Sequence, residues 1–132
     1  MTINSELSII NASDVDIFSF LTDFNNFQKL MPEQIINWQS NENSCSFTIK
    51  GMADLKMKIQ EKTPHSKIHI SSETNLPLTF DLRWEINSLE GEKSQVQLVF
   101  EGKINPMISM MVKSPLQNFI NVLVQKLKEH FA

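Results

Sequence analysis

The last part of the chain constrains the fold most. From Asn105 to Ala132 the sequence reads as one long amphipathic helix. Ile108, Val112, Leu116, Phe119, Leu123 and Leu127 recur at steps of three and four, with Ile120 beside them. Gln117, Asn121, Gln125 and Lys128 fall on the opposite side. Asn105 suits the cap position, and Pro106 suits the first helical position, where a missing N–H is not needed. Ser114-Pro115 interrupts the run after roughly two turns, which predicts a kink or a break there. Lys126, Lys128 and His130 sit where cations complement the helix dipole.

Ahead of that helix, from Ile35 to Ile104, apolar and polar residues alternate. Ile36 and Trp38 alternate with Asn37 and Gln39; Cys45, Phe47 and Ile49 form the next inward set. Leu55, Met57 and Ile59 oppose Lys56, Lys58 and Gln60, and Ile68 and Ile70 oppose His69 and Ser71. The cleanest run sets Leu78, Phe80, Leu82, Trp84 and Ile86 against Thr79, Asp81, Arg83, Glu85 and Asn87. Val96, Leu98 and Phe100 then oppose Gln95, Gln97 and Glu101. Turns fall at Asn41-Glu42-Asn43, Lys50-Gly51, Thr63-Pro64-His65-Ser66 and Glu90-Gly91-Glu92; Gly102 suggests a bulge or bend. One apolar and one polar face mean a half-buried antiparallel sheet. Phe80, Leu82 and Trp84 should face the C-terminal helix, because a one-residue slip would invert the whole set.

Residues 5 to 11 read as a first strand, with Leu7 and Ile9 on one face and Glu6 and Ser8 on the other. Ser13 then caps a short helix whose first turn carries Asp14 and Asp16. Its apolar stripe is Val15, Phe18, Leu21 and Phe24 or Asn25. A second short helix runs from Asn25 or Asn26 to Met31, and Pro32 ends it. With the strands that follow, the pattern predicts an α+β domain with about six or seven antiparallel strands.

This order resembles the helix-grip fold of the START and pollen-allergen superfamily (SRPBCC), most closely its bacterial polyketide-cyclase/dehydrase-like and coenzyme-Q-binding-like members. The stretch Ala12-Ser13-Asp14-Val15-Asp16-Ile17-Phe18-Ser19-Phe20-Leu21-Thr22-Asp23 looks like the family's opening, a small residue and a cap before a helix ending in Leu-x-Asp. Phe27-Gln28-Lys29-Leu30-Met31-Pro32 looks like the aromatic-to-proline close of its second helix. The resemblance spans the chain. It implies a curved sheet wrapped around the long helix, with a cavity between them that takes lipids, polyketides, quinones or similar molecules. Catalytic members place polar residues inside that cavity. This chain has no Tyr, and its inward strand faces are nearly all apolar.

Length and charge narrow the rest. A chain of 132 residues is read as a single domain, 1–132, with enough length for a substantial core. Net charge is −3, without the basic footprint of a nucleic-acid binder. No signal peptide and no membrane span are read, so a cytoplasmic protein is expected. The single cysteine, Cys45, excludes an intramolecular disulfide and reads as a small buried hydrophobe. His65, His69 and His130 have no metal-ligand spacing with one another or with Cys45, so no metal or cofactor is expected.

Asp81, Arg83 and Glu85 read as an outer sheet face laced by salt bridges; only a reversed register would make them an acid/base group. Lys56, Lys58 and Lys62 read as a solvated face. Met107, Met110 and Met111 allow three readings: a pocket mouth, a contact with a second chain as in a homodimer, or packing against the short N-terminal helices. No catalytic constellation is visible. The reading is a binder or carrier of a hydrophobic small molecule. Its cavity would be lined by Met57, Ile59, Phe80, Leu82 and Trp84 from one part of the sheet, by Leu98 and Phe100 from the last strand, and by Met111, Phe119 and Leu123 from the helix. The alternatives are a cyclase/dehydratase-type enzyme and a protein-interaction module using the Met-rich helix start.

Overall fold

The computed structural model describes residues 1–51, 53–73, 79–103 and 105–132. Leu78 and Ile104, which the alternation includes, lie outside the described residues. The strands are β1 (Thr2–Asn4), β2 (Ser8–Ile10), β3 (Ile35–Ser40), β4 (Ser44–Ile49), β5 (Ala53–Thr63), β6 (Lys67–Ser72), β7 (Thr79–Leu89) and β8 (Lys93–Lys103). Between β2 and β3 come α1 (Asp14–Leu21), α2 (Phe24–Phe27) and a 3-10 turn (Gln28–Leu30); α3 (Pro106–His130) closes the chain. Among the described residues the strands form one eight-stranded sheet in the order β1-β8-β7-β6-β5-β4-β3, with β2 also paired to β8. Sequential strands from β3 to β8 pair antiparallel with their neighbours.

The sheet keeps the predicted register where the alternation is cleanest. Phe80, Leu82, Trp84 and Ile86 are all buried, and they belong to the same apolar core as Leu116, Ile120, Leu123, Val124 and Leu127 of α3. Asp81, Arg83 and Glu85 take the other face. This is the helix-grip arrangement, a sheet whose apolar face holds a long C-terminal helix.

The helix starts are also as read. The Ser13 hydroxyl accepts the Asp16 N–H at 3.2 Å, and the Asn105 carboxamide accepts the Met107 N–H at 2.8 Å. The 3-10 turn ends at Met31, which is already extended, directly before Pro32.

Five expectations need correction. Leu7 and Ile9 face solvent, and Ile3 and Ile10 are buried in their place. The cause is an extra residue: four steps from Asn4 to Ser8 run against three from Val99 to Val96, so the edge strand bulges and changes face. Ser5 sits in that bulge and pins it, donating its N–H to Leu98 O at 2.8 Å while its hydroxyl accepts Leu98 N–H at 2.9 Å. In β3 a register shift between Ile36 and Gln39, with Asn37 at φ 57°, turns Ile36 outward and leaves Ile35 and Trp38 against the core. In α1 the buried stripe is Ile17, Phe20 and Leu21, continued by Phe24, while Val15 is exposed. An eight-residue helix with apolar residues on two overlapping i, i+3 sets does not reveal its inner face by spacing alone.

At Pro115 the sequence allowed a kink or a break, and the break does not occur. α3 runs through the proline as one helix of 25 residues. Proline removes the N–H that the Met111 carbonyl would accept, but Met111 and Pro115 are both exposed, so water solvates that carbonyl. Gly102 likewise marks no bulge. The β7–β8 register is continuous across it, and it pairs with the chain start, its N–H reaching Met1 O at 2.9 Å.

Candidate functional site

The middle of α3 lies across a groove from the end of the β3–β4 pair. Ile35 pairs with Ile49 at the close of the β3–β4 ladder. Gly51, at φ 80°, then turns the chain into β5. The Lys50 N–H donates to Gln34 O at 2.8 Å and the Ile35 N–H to Pro32 O at 3.0 Å, so the turn and the segment after the 3-10 helix form one rim. Across from this rim stand Ser114, Pro115, Asn118 and Val122 of α3. The space between is an open groove of about 520 Å³. Its floor is apolar (Ile35, Ile49, Leu116, Phe119), and its polar groups, Gln34, Lys50, Ser114 and Asn118, belong to the rim.

A second pocket lies deeper, between α3 and the sheet. All ten of its lining residues are apolar, from Phe47 and Leu55 on β4 and β5 to Val112, Leu116 and Phe119 on α3. Its volume is about 30 Å³, roughly one water's share of liquid, and a site with no polar partner holds no water stably. Ile49, Leu116 and Phe119 line both spaces. They form the partition between groove and interior. Ile49 and Phe119 are only partly buried, and Phe119, on the helix side, is the larger of the two side chains that can turn. Stacked ring pairs stiffen the walls: Trp38 on Phe47, 5.4 Å between centroids, and Phe80 on Phe100, also 5.4 Å.

The expected lining residues fall into three groups. Met57, Phe80, Leu82, Phe100 and Phe119 line the deeper pocket. Trp84, Leu98 and Leu123 are fully buried in packed core, with Trp84 edge-on to Phe27 at 6.2 Å; Ile59 is partly buried at the margin of the same core. Met111 does not point inward at all. Each helical residue turns about 100°, so Val112 takes the inward place and Met111 is left 75% exposed. Sequence reasoning did not assign Phe47, Ile49, Leu55, Val112 and Leu116 to the cavity, although every one stood in an inward set. Their signal was present, but which layer of the core stays open is a property of the assembled sheet and helix.

The polar candidates lie elsewhere. His69 Nε2 and Asp81 Oδ1 are 3.1 Å apart on the outer face. Arg83 bonds Glu85 at 3.0 Å and Glu101 at 3.1 Å. The Glu85 bond, helped by Glu101, raises the Arg83 pKa further. Lys58 pairs with Glu73 at 3.4 Å, and Lys62 reaches Asn43. His65 packs on Phe18 and His130 on Phe20. Burial pushes the Cys45 thiol up to about 12, so it is a protonated core group at neutral pH. Among the described residues, no three His, Cys, Asp or Glu side chains converge as a metal site would need. Among the described residues, no helix is long and apolar enough to cross a membrane.

A sheet gripping a terminal helix, with an apolar cleft between them, is a class of fold, and solved structures share it. No family model matches this sequence, and no curated protein matches it. An uncharacterised protein from Bacillus thuringiensis superposes with a TM-score of 0.77 at 10% identity, covering 99% of this chain and 98% of its own. A START superfamily protein from Mycobacterium smegmatis gives 0.70 at 13% identity, over 98% and 95% of the two chains. The Aha1 dimer from Colwellia psychrerythraea gives 0.70 at 16% identity, over 99% and 96%. The chain therefore has the helix-grip fold of the START-like proteins along its whole length.

Proposed function

We propose that the 132 residues act as one domain that binds and carries a hydrophobic small molecule of lipid, polyketide or quinone type. The observation that carries this reading is the partition. A groove within the usual ligand-pocket range of about 300–1,000 Å³ shares Ile49, Leu116 and Phe119 with a dry apolar interior. The apolar part of a ligand lies along the floor and, with Phe119 turned aside, extends between α3 and the sheet. Any polar head stays at the rim with Lys50, Gln34 and Asn118. The lining of the deeper pocket offers no group that gives or takes a proton, which supports binding over acid/base chemistry there.

The reading is tested with a homologous series of alkyl probes bearing one fluorophore. Each buried CH2 contributes about 0.8 kcal/mol, so affinity should rise about fourfold per methylene and then level off when the tail outgrows the pocket. Trp38, stacked on a lining residue, should change its emission more than Trp84, which lies in packed core. Asn118→Trp fills the groove from an exposed position; it should weaken binding at least about tenfold with an unchanged melting temperature. Failure of well-folded protein to bind any member at micromolar concentration would sink the proposal.

A further inference from the structure

The start of α3 carries an apolar patch that the ligand reading does not use. None of the residues from Pro106 to Pro115 is buried. Met107, Met110 and Met111 are 75%, 87% and 75% exposed, and Ile108 is exposed beside them. At about 100° per residue the three methionines centre on the direction opposite Val112 and Leu116, so they face solvent squarely. They neither pack on α1 and α2 nor close over the groove. Packing against the N-terminal helices is thereby excluded for them.

The charges that flank this patch along the chain are positive. Between Glu101 and Glu129 the chain contains no Asp or Glu, and it contains Lys103, Lys113, Lys126 and Lys128. Only Lys103 and Lys113 of these stand near the methionines; Lys126 and Lys128 lie about four turns farther along the helix, where Lys126 donates to Met31 O. Lys103 stands just ahead of the helix, Lys113 lies one turn beyond Met110, and Lys50 stands on the groove rim facing Ser114 and Pro115. On the outer face of the sheet Asp81, Glu85 and Glu101 are held in ion pairs, and Glu73, just after β6, pairs with Lys58. The methionines thus have three cationic neighbours, Lys103, Lys113 and Lys50, on a protein of net charge −3. Such a charge distribution orients it toward a negative surface.

Exposed, flexible apolar side chains ringed by lysines fit one occupant, the interface of an anionic lipid bilayer. We propose that the first turns of α3 dock on such a surface, with Met107, Met110 and Met111 in the headgroup region and Lys103, Lys113 and Lys50 against the phosphates. Ser114 and Pro115, one turn past Met110 and Met111, line the groove, so docking places the groove mouth at the membrane. This surface goes beyond the ligand reading and stands or falls without it.

Flotation of the ligand-free protein with phosphatidylcholine vesicles, with and without phosphatidylglycerol, tests it. The protein should float with the anionic vesicles and be released by salt. The combined Met107→Gln, Met110→Gln and Met111→Gln variant should lose at least about tenfold in partitioning. Lys103→Gln and Lys113→Gln should each lose about fivefold and flatten the salt dependence. All five positions are exposed, and circular dichroism melts confirm that the variants fold. Three results would overturn the proposal: no binding to anionic vesicles, equal binding with and without phosphatidylglycerol, or full binding by the methionine variant. A dimer mass in light scattering that the methionine variant abolishes would also overturn it, because the patch would then belong to a second copy. Alkyl-probe binding, measured in parallel without vesicles, separates failure here from failure of the carrier reading.

Discussion

From Leu116 onward α3 buries Leu116, Ile120, Leu123, Val124 and Leu127, and from Pro106 to Pro115 it buries nothing. The second half is also tied to the rest of the fold by polar contacts on both flanks. Gln117 donates to Asn4 O at 2.8 Å, Asn121 accepts Glu6 N–H at 3.1 Å, and Lys126 donates to Met31 O at 3.2 Å. Among the described residues the first half has its Asn105 cap and, packed against the core, Val112. One continuous helix therefore contains a structural half and a half whose exposed residues cost little to change. A helix as short as the first half is marginal without packing. It persists because the packed half holds it in register.

This contrast is most easily broken by truncation. Leu123→Ala should cost about 2–5 kcal/mol, the range for emptying a buried leucine site. Met110→Ala should stay within about 0.5 kcal/mol of wild type, as surface changes do. Urea unfolding measures both, and similar losses would show that the two halves are equally packed. A smaller effect is expected at the junction. Pro115→Ala restores the N–H that the Met111 carbonyl lacks and removes the ring from the helix interior. It should raise hydrogen-exchange protection over residues 107–114 by about 1–3 kcal/mol. Unchanged protection would mean that the proline does not limit this half.

The smallest effect at neutral pH, and the sharpest control, uses Cys45. The folded thiol has its pKa raised by burial from 9.0 to about 12. Between these values the native state holds a proton that the unfolded state has lost. The contribution is therefore fully present below pH 9 and fades as the pH rises toward 12. Cys45→Ala should flatten the decline of stability over that window and leave its pH dependence at pH 7 unchanged. In wild type, a thiol reagent should reach Cys45 only at the rate of unfolding. A cysteine placed at Met110 should react like a free thiol.

The expectations that held and those that failed differ in how many residues vote. Along β7, four buried and three outer positions agree on one register, and a slip would bury Asp81, Arg83 and Glu85 together. At β2 only Leu7 and Ile9 voted, and one bulged residue outweighed them. At β3 the same happened to Ile36. The candidate site was legible to the same degree. The residues of the deeper pocket all stood on faces marked as inward, yet the alternation could not distinguish Phe80, which lines open space, from Trp84, which is packed solid four residues along the same strand face.

The sequence by itself determined the class of fold, the register of the central strands and the caps of the first and last helices. Each of these follows from local periodicity or from one side chain satisfying a neighbouring backbone group. The tertiary structure alone decided where the strand edges bulge, that α3 passes through Pro115 unbroken, and that the open space lies under Phe119 and not beside Trp84. A cavity is the remainder after every side chain has found its neighbours across the sheet. Those neighbours are distant in the chain, as Ile49, Leu55, Phe100 and Leu116 are, and no period in the sequence records the distance between them.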